Sequence, residues 1–497
     1  MDLRNWVDQL RKVDRLQEIN VEVDWNLEAA TISVMSNRVA RKGVLFNNIK
    51  GYPGMKLFGS TGCISTRKRK WETSCLLMGL PVETSRKEHH KEFQRRINNP
   101  IPPTEVAKAE APCKEVIKMG KAANVFDFPV PYLHATDGGR YLSLQAVVQK
   151  DPDTGWTNYG CYRVMCIGPR KLSALLLPMQ QGGAIFYQKY AARGHNCPFC
   201  IAIGGDHILF TTYVFGLPAG VCELDVAGGL RGEPMRVVRA ETNDLLVPAD
   251  SEIIIEGEIL AGKMVDEGPF AEYSGYVHGR MKNPEFRVDC ITYRKEPILP
   301  FACLTMSLDE DNTIQSTTIE QEYMITLKES GVRFADIAQG PDNPNFHYGA
   351  VRDPDDIGEM TRFAEEFFAH KLSSYHHWFI LSDPDINVDT PDRAYREFAL
   401  NADPRSDFHV TDMDAFNNPL IFDTPSDERL KGINQSKIWI DATTGRKPKE
   451  QKPKKDMFEY DFPEAVQKKV KENWSKLGFD RPFEEIEPVD PDWLLKP

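Results

Sequence analysis

The sequence predicts a multidomain protein of mixed α+β and α/β class, with a β-rich centre between N-terminal and C-terminal α/β regions. Three observations predict it. The chain has 497 residues, which suits about three domains. From about residue 125 to 305, short segments rich in β-formers are punctuated by Gly, Pro and Asp, the texture of a mostly antiparallel sheet or barrel. In the last third, helical and strand patterns alternate, as in an α/β domain.

The elements follow in chain order. Leu3, Trp6, Val7 and Leu10 recur at helical spacing, so the chain opens with a helix. Val44 to Ile49 reads as a strand, and Gly51-Tyr52-Pro53-Gly54 as the turn after it. Residues 84 to 96 are dense in Arg, Lys, Glu and His and read as a solvated helix. Pro100, Pro102 and Pro103 mark a linker near residue 105. Leu142 to Gln149, Ser173 to Leu177, Ile208 to Val214, Glu252 to Glu258 and Phe286 to Tyr293 are the strand candidates of the centre. Asn312 to Gly331 reads as a helix, with Ile319, Tyr323 and Leu327 four apart and Gly331 at its C-cap. Asp355 to Leu372 reads as another. Trp378 to Leu381, Leu420 to Phe422 and Ile438 to Ile440 are strand candidates. A final helix begins at Pro463, carries Val466, Val470, Trp474 and Leu477 on one stripe, and ends at Gly478. The Lys-rich stretch Arg446 to Lys455, with two prolines, reads as a surface loop.

Composition excludes several functions. Asp and Glu number 73 against 61 Lys and Arg, a formal charge of −12, and phosphate-backbone binding wants a basic domain. No apolar run approaches the ~18–20 residues of a membrane helix, and the start Met1-Asp2-Leu3-Arg4 is unlike a secretory signal. A cytoplasmic protein without nucleic-acid or membrane partners is expected. Ten cysteines in so long a chain read as small buried hydrophobes in a reducing compartment. Cys197-Pro198-Phe199-Cys200 has metal or redox spacing, but no second pair follows and it runs into a strand-like Ile201-Ala202-Ile203. No phosphate loop, dinucleotide fingerprint, zinc-protease motif or nucleophile elbow is present. His89-His90 and His376-His377 lack a ligand pattern and read as structural or exposed.

Three stretches carry candidate chemistry. In Val265-Asp266-Glu267-Gly268-Pro269-Phe270-Ala271-Glu272, two carboxylates lie five apart around a Gly-Pro corner. Pro fixes φ and Gly permits a sharp bend, so both acids can aim at one point. Close carboxylates have split pKa values, which suits proton donation by one of them; the same residues also suit a polar turn. Arg163 interrupts the apolar run Tyr162 to Ile167 and either seeks buried carboxylates or snorkels outward. Glu223 precedes Ala227-Gly228-Gly229-Leu230-Arg231-Gly232, where glycines allow close approach to a phosphate or another strand, or mark an exposed turn.

Together these stretches resemble the UbiD family of decarboxylases. The order matches: Asn158 five residues before Arg163, Gly182-Gly183, Glu223 before Ala-Gly-Gly-Leu-Arg-Gly, then Glu267-Gly268-Pro269-Phe270 through Glu272 to Gly275-Tyr276. Phe128-Pro129-Val130-Pro131, Asp137-Gly138-Gly139-Arg140-Tyr141, Asn243-Asp244-Leu245 with Val247-Pro248, and Pro297-Ile298-Leu299-Pro300 match as well. The resemblance covers most of the chain and is densest from about 125 to 305. It implies an N-terminal α/β domain (1–110), a central FMN-binding split β-barrel (111–308), a linker helix (309–335) and a C-terminal α/β oligomerisation domain (336–497).

The resemblance further implies prenylated FMN, a flavin whose extra ring has azomethine ylide character and acts as an electron sink. It implies non-oxidative, reversible decarboxylation of an aromatic or α,β-unsaturated acid with release of CO₂. The family's Glu-Arg-Glu triad falls on Glu267, Arg163 and Glu272, with Glu272 the general acid. Cofactor contacts fall on Asn158, Tyr162, Arg163, Gln180, Gln181, Cys222 and Glu223. A divalent metal, Mn²⁺ or else Mg²⁺ or Fe²⁺, with K⁺ nearby, would be held by Asn158, Gln180 and Glu223. Relatives have His where this chain has Gln180, with Gln181 next to it; an amide oxygen is a workable hard-metal ligand. Two further departures are His377-Trp378 where relatives carry a Lys, and Leu400-Asn401 where they carry Thr-Arg. A flavin prenyltransferase would supply the cofactor, and a homodimer or homohexamer is implied. The substrate is a free acid or its CoA thioester; the basic tracts Arg67 to Lys70 and Arg86 to Arg96 would meet CoA phosphates or form a solvated face. The alternatives are a flavin reductase and a non-catalytic subunit of a carboxylase complex.

Overall fold

A computed structural model describes the chain except residues 63–64, 66–68, 306–308, 341–342, 371–372, 374–375, 416–432, 446–461 and 479–497. The strand expected at Leu420 to Phe422, the loop at Arg446 to Lys455 and the basic pair Arg67-Lys68 lie outside the described residues. The chain forms two compact units. The first comprises Met1–Ile325 with two short later segments, and the second Thr326–Gly340, Asn345–Asn417 and Lys431–Pro497.

The first unit opens with α1 (Leu3–Lys12), which buries Leu3, Trp6, Val7 and Leu10, the stripe expected from the spacing. Asp2 accepts from the Asn5 N–H and the Asn5 side chain returns to the Asp2 N–H, a reciprocal cap that satisfies two orphan donors. Strands β1 (Leu16–Ile19), β2 (Gly43–Phe46) and β3 (Lys56–Gly59) form a small sheet completed by Ile298–Pro300.

The centre of the unit is a nine-stranded sheet. Its strands are β4 (Val116–Met119), β5 (Arg140–Leu142), β6 (Gln145–Lys150), β7 (Thr157–Gly160), β8 (Val164–Gly168), β9 (Lys171–Ala174), β10 (Cys197–Ile203), β11 (Ile253–Glu267) and β12 (Met281–Tyr293). The order is β5-β8-β9-β12-β11-β10-β6-β7, with β4 also on β12. Neighbouring strands run antiparallel. The sheet curls into a half-barrel with apolar packing on both faces. Val147, Phe199, Ile201, Ile203, Ile253 and Ile255 enter one cluster, while Ala146, Val148, Cys200, Ala202 and Ile254 enter the other. Alternation places successive side chains on opposite faces, so both registers of these strands read apolar. The same geometry sends Cys197 and Cys200 to different faces, where they cannot share a metal.

The structure corrects two expectations. Ile208–Val214 is a helix, not a strand. Ile208 to Thr212 are buried on successive positions, and a short wholly buried helix has the same apolar run as a core strand. The charged segment 84 to 96 is α2 (Arg86–Ile97), but it is not solvated all round: Arg86, His89, His90 and Phe93 are buried. Arg86 and Lys70 both pair with Glu320 on the buried side of α3 (Glu310–Glu329). A buried carboxylate facing two cations explains how so polar a helix packs inward. His89 and His90 are buried by hydrogen bonds to Ser74 and Gln321.

In the second unit, β13 (Phe334–Gly340), β14 (Asn343–Val351), β15 (Trp378–Ser382), β16 (Phe408–Ala415) and β17 (Ile433–Asp441) form a five-stranded sheet in the order β13-β14-β15-β17-β16. β14, β15 and β17 run parallel and β16 antiparallel. Helix α4 (Ile357–Ala369) buries Met360, Ala364 and Phe367, whereas Ile357 stays exposed at its start. The last described helix, α5 (Glu464–Glu472), starts after Pro463 and leaves Val466 and Val470 exposed.

At the start of α3, Glu310 is fully buried. One oxygen accepts from the Thr61 N–H at 3.1 Å; the other has no hydrogen-bond partner. Burial pushes this carboxyl up to about 7, against the pull of nearby backbone N–H groups. A raised carboxyl favours folding at low pH, and that contribution is lost as pH rises from the ordinary glutamate range through about 7. E310Q is therefore expected to match wild-type stability near pH 5 and to exceed it by about 1–3 kcal/mol at about pH 8.5. Urea unfolding at both pH values checks this; an equal difference at both overturns it.

Candidate active site

The site grows from the end of β11. Glu267 is the last residue of that strand and pairs with Met281 of β12, so the ladder fixes where its carboxylate points. Gly268 follows with φ of 88°, a left-handed conformation that glycine adopts without a Cβ clash. The chain turns through Pro269, makes the short strand Phe270–Ala271 against Val277–His278, and presents Glu272.

Arg163 lies between the two acids. It precedes β8, and its side chain is 6% exposed. Its Nε and Nη2 donate to Glu267 at 3.0 and 2.8 Å, the bidentate fork that guanidinium and carboxylate favour. Its Nη1 donates to Glu272. Nη2 also reaches His278 Nδ1 at 3.2 Å. The guanidinium carbon stands 5.0 Å from the Phe270 ring centroid. Of the two readings of this Arg, the structure selects the buried pair-seeker. Burial disfavours its charge, but Glu267 and Glu272 outweigh that and push its pKa up.

The two carboxylates differ. Glu267 is fully buried and also accepts from the Tyr141 hydroxyl at 3.0 Å. Glu272 is 7% exposed. Its carboxyl is raised: burial dominates, Arg163 opposes it, and the charges of Glu267 and Asp137 add to it. A raised carboxyl next to a fixed cation is suited to hold and release a proton.

Several residues that shape this corner were not singled out by the sequence. Tyr141 accepts from the Gly268 N–H at 3.1 Å while facing Glu267. Gly138 donates to the Pro269 carbonyl at 2.7 Å. A Cβ on Gly138 would stand 2.2 Å from the Gly268 carbonyl oxygen. Asp137 accepts from the Ala271 N–H at 2.9 Å. The signal was present in the segment Asp137 to Tyr141, whose Asp-Gly-Gly carried the turn chemistry but no evident partner.

The second cluster surrounds β7. Asn158 is wholly buried, and neither its amide oxygen nor its nitrogen has a hydrogen-bond partner. Its ladder neighbour Gln149 has an unpaired buried Oε1. Glu223 opens the helix Glu223–Arg231 and accepts from the Tyr159 N–H at 3.1 Å, which brings its carboxylate to the strand that carries Asn158. Cys222 is the helix N-cap residue, and burial pushes its thiol up to about 12. The Tyr162 hydroxyl accepts from the Gly182 N–H at 3.0 Å; burial pushes its phenol up to about 12. Gln180 accepts from the Leu177 N–H at 3.3 Å, and Gln181 donates to the Leu217 carbonyl at 2.8 Å. Buried unpaired amides are expensive. Beside a carboxylate they offer hard oxygen donors that fit a divalent cation. Gly228 and Gly229 allow close approach, but to the carbonyls of Ile101, Arg96 and Asn99.

The chain is similar to known proteins in sequence and in fold. Residues 104–307 match the family model described as 3-octaprenyl-4-hydroxybenzoate carboxy-lyase Rift-related domain. Residues 7–92 match the N-terminal domain of the same carboxy-lyase. The chain is 28% identical over 492 residues to the pyrrole-2-carboxylic acid decarboxylase of Pseudomonas aeruginosa, covering 96% of this chain and 98% of that one. It is 28% identical over 498 residues to ferulic acid decarboxylase 1 of Saccharomyces cerevisiae, with the same coverage. Its fold is that of the UbiD-class enzyme HmfF of Pelotomaculum thermopropionicum in complex with FMN: TM-score 0.80 at 24% identity, covering 94% of this chain and 100% of that one.

The corner geometry makes a prediction. G138A is expected to push the Gly268 carbonyl away, because the clash is with backbone. The cost is about 1–3 kcal/mol of stability and roughly a hundredfold in turnover, as for a misplaced catalytic group. Thermal melts and steady-state rates check it; wild-type turnover would show that the corner tolerates displacement.

Proposed function

The chain belongs to the UbiD family of carboxy-lyases, and on that premise we propose that it decarboxylates a free aromatic or α,β-unsaturated acid with prenylated FMN, without net oxidation. A flavin cofactor accords with the FMN complex of HmfF and with the prFMN complex of its evolved dimeric form. The observation that carries the reading is the buried Glu267–Arg163–Glu272 array.

Decarboxylation replaces a carboxylate by hydrogen, so each turnover consumes one proton at carbon. Glu272 supplies it: its raised carboxyl holds a proton that its neighbour Arg163 helps to orient. Glu267 grips Arg163 through two hydrogen bonds and so fixes the direction of the third, to Glu272. The reverse reaction uses the same array, with Glu272 as base. The bound cofactor supplies the electron sink for the carbon–CO₂ bond. Asn158, Glu223 and Gln180 are the residues that would hold a divalent cation, Mn²⁺ or Mg²⁺, at its phosphate, with K⁺ nearby. Tyr162, Gln181 and Cys222 would line the same end. The region 111–308, which contains every one of these residues, is the cofactor-binding barrel in this reading.

The free acid is preferred to a CoA thioester. Lys70 and Arg86 are buried on Glu320, and Arg95 and Arg96 pair with Glu92, so these members of the basic tracts are engaged within the fold. The names of the Pseudomonas and Saccharomyces relatives specify free acids.

Four measurements test this reading. E272Q should abolish turnover, by about a thousandfold or more, while the visible spectrum shows the cofactor bound; retained decarboxylation sinks the acid assignment. Because a general acid works below its pKa, turnover should fall as pH rises through the raised Glu272 value. N158A and E223Q should lose bound metal and flavin, read by elemental analysis and absorbance, and an unchanged metal load in Q180A would move that ligand role to Gln181. In a panel of free acids and their CoA thioesters, turnover confined to the thioesters would overturn the substrate class.

A further inference from the structure

We propose that Asp137 is a positioning residue for Glu272: its carboxylate clasps the backbone of the acid's own turn and sets a second negative charge beside it. The inference deepens the proposed function and rests on Glu272 as the proton donor.

Asp137 is buried, and each of its carboxylate oxygens is engaged. Oδ1 accepts from the N–H of Ala271 at 2.9 Å, the residue directly before Glu272. Oδ2 accepts from the His134 N–H at 3.1 Å and faces His134 Nδ1 at 3.0 Å. The other ring nitrogen, Nε2, lies 3.3 Å from the Cys303 sulfur. Burial pushes the Cys303 thiol well up, so the sulfur keeps its proton and donates to Nε2. With the thiol donating to Nε2, the His134 tautomer that fits carries its hydrogen on Nδ1, facing Asp137. Oδ2 of Asp137 is thereby met twice by one residue, through the backbone and the ring of His134. The Asp137 N–H donates to the His134 carbonyl at 3.0 Å, and its carbonyl accepts from the Tyr132 hydroxyl, so the turn cannot swing away. Gly138 then holds the Pro269 carbonyl. The 134–138 turn is a mould for the 268–272 corner.

The charge has its own effect. The groups that face Glu272 are Arg163 ahead of β8, Glu267 at the end of β11, and Asp137 from the 134–138 turn. His278, from the short strand beside Phe270, reaches Arg163 rather than Glu272. One cation thus meets three carboxylates. Asp137 acts on Glu272 in the same direction as Glu267 and favours its protonated form. A residue that only stabilised the turn would not shift a titration.

The test uses the cofactor-loaded enzyme and two neutral replacements, D137N and D137A, each checked by its thermal melt. The titration of Glu272 is followed directly by infrared difference spectroscopy, with E272Q as the subtraction. Asn can still accept from the Ala271 N–H, so D137N isolates the charge. Its Glu272 midpoint, and the alkaline limb of its kcat profile, should both move to lower pH by about half to one unit. D137A, which also loses the clasp, should fall about tenfold further in kcat at every pH. An unmoved midpoint in the neutral variants overturns the proposal, as does failure of both to fold, which would make Asp137 structural. A midpoint that moves while the kcat profile does not supports the Asp137 clasp and removes Glu272 as the proton donor.

Discussion

The rest of the site depends on one constraint: a guanidinium buried between two carboxylates. Removing Arg163 from water is costly unless its donors are met. Glu267 meets them with a two-point fork, and Glu272 takes the remaining direction. The set carries one cation and two potential anions, so in a low-dielectric pocket it is best balanced when one carboxyl holds a proton. Glu267 is tied by the fork and by Tyr141. Glu272 has the looser attachment and the raised carboxyl, which makes it the better placed of the two to hold a proton in the proposed reading. Charge balance thus distinguishes two otherwise identical side chains.

The sheet supplies the precision. Arg163 comes from the β7–β8 connection, Glu267 from the end of a fifteen-residue strand and Glu272 from the corner beyond it. β5 pairs β8 and contributes Tyr141, whose hydroxyl touches both Glu267 and the Gly268 N–H. Register fixes these positions, because a one-residue slip would turn each side chain to the other face. The polar cluster at β7 obeys the opposite logic. There the Asn158 amide and the Gln149 Oε1 are buried without hydrogen-bond partners, and such groups persist where something else satisfies them.

Much of this was legible in the sequence, for identifiable reasons. α1 was readable because its apolar stripe is local. The acids around Gly268-Pro269 were readable because a Gly-Pro bend limits where two flanking side chains can point. Arg163 was ambiguous until its partners, more than a hundred residues away, were in place. Ile208–Val214 was misread because complete burial erases the periodicity that separates helix from strand. α2 was misread because composition alone could not show that Glu320 would draw Lys70 and Arg86 inward. Asp137 and Gly138 carried no legible role, since their function is contact with a corner about 130 residues on, which only the fold reveals.

The cation, both acids, the Asp137 clasp and the buried amides Asn158 and Gln149 all fall within residues 134–278, inside the first compact unit. Inheritance of the chemistry is therefore separable from inheritance of the remainder of the chain. Substitutions in the second unit, such as the departures at His377-Trp378 and Leu400-Asn401, leave the charge array's own residues untouched. The second unit can therefore vary in sequence without changing any residue of the Glu267–Arg163–Glu272 array.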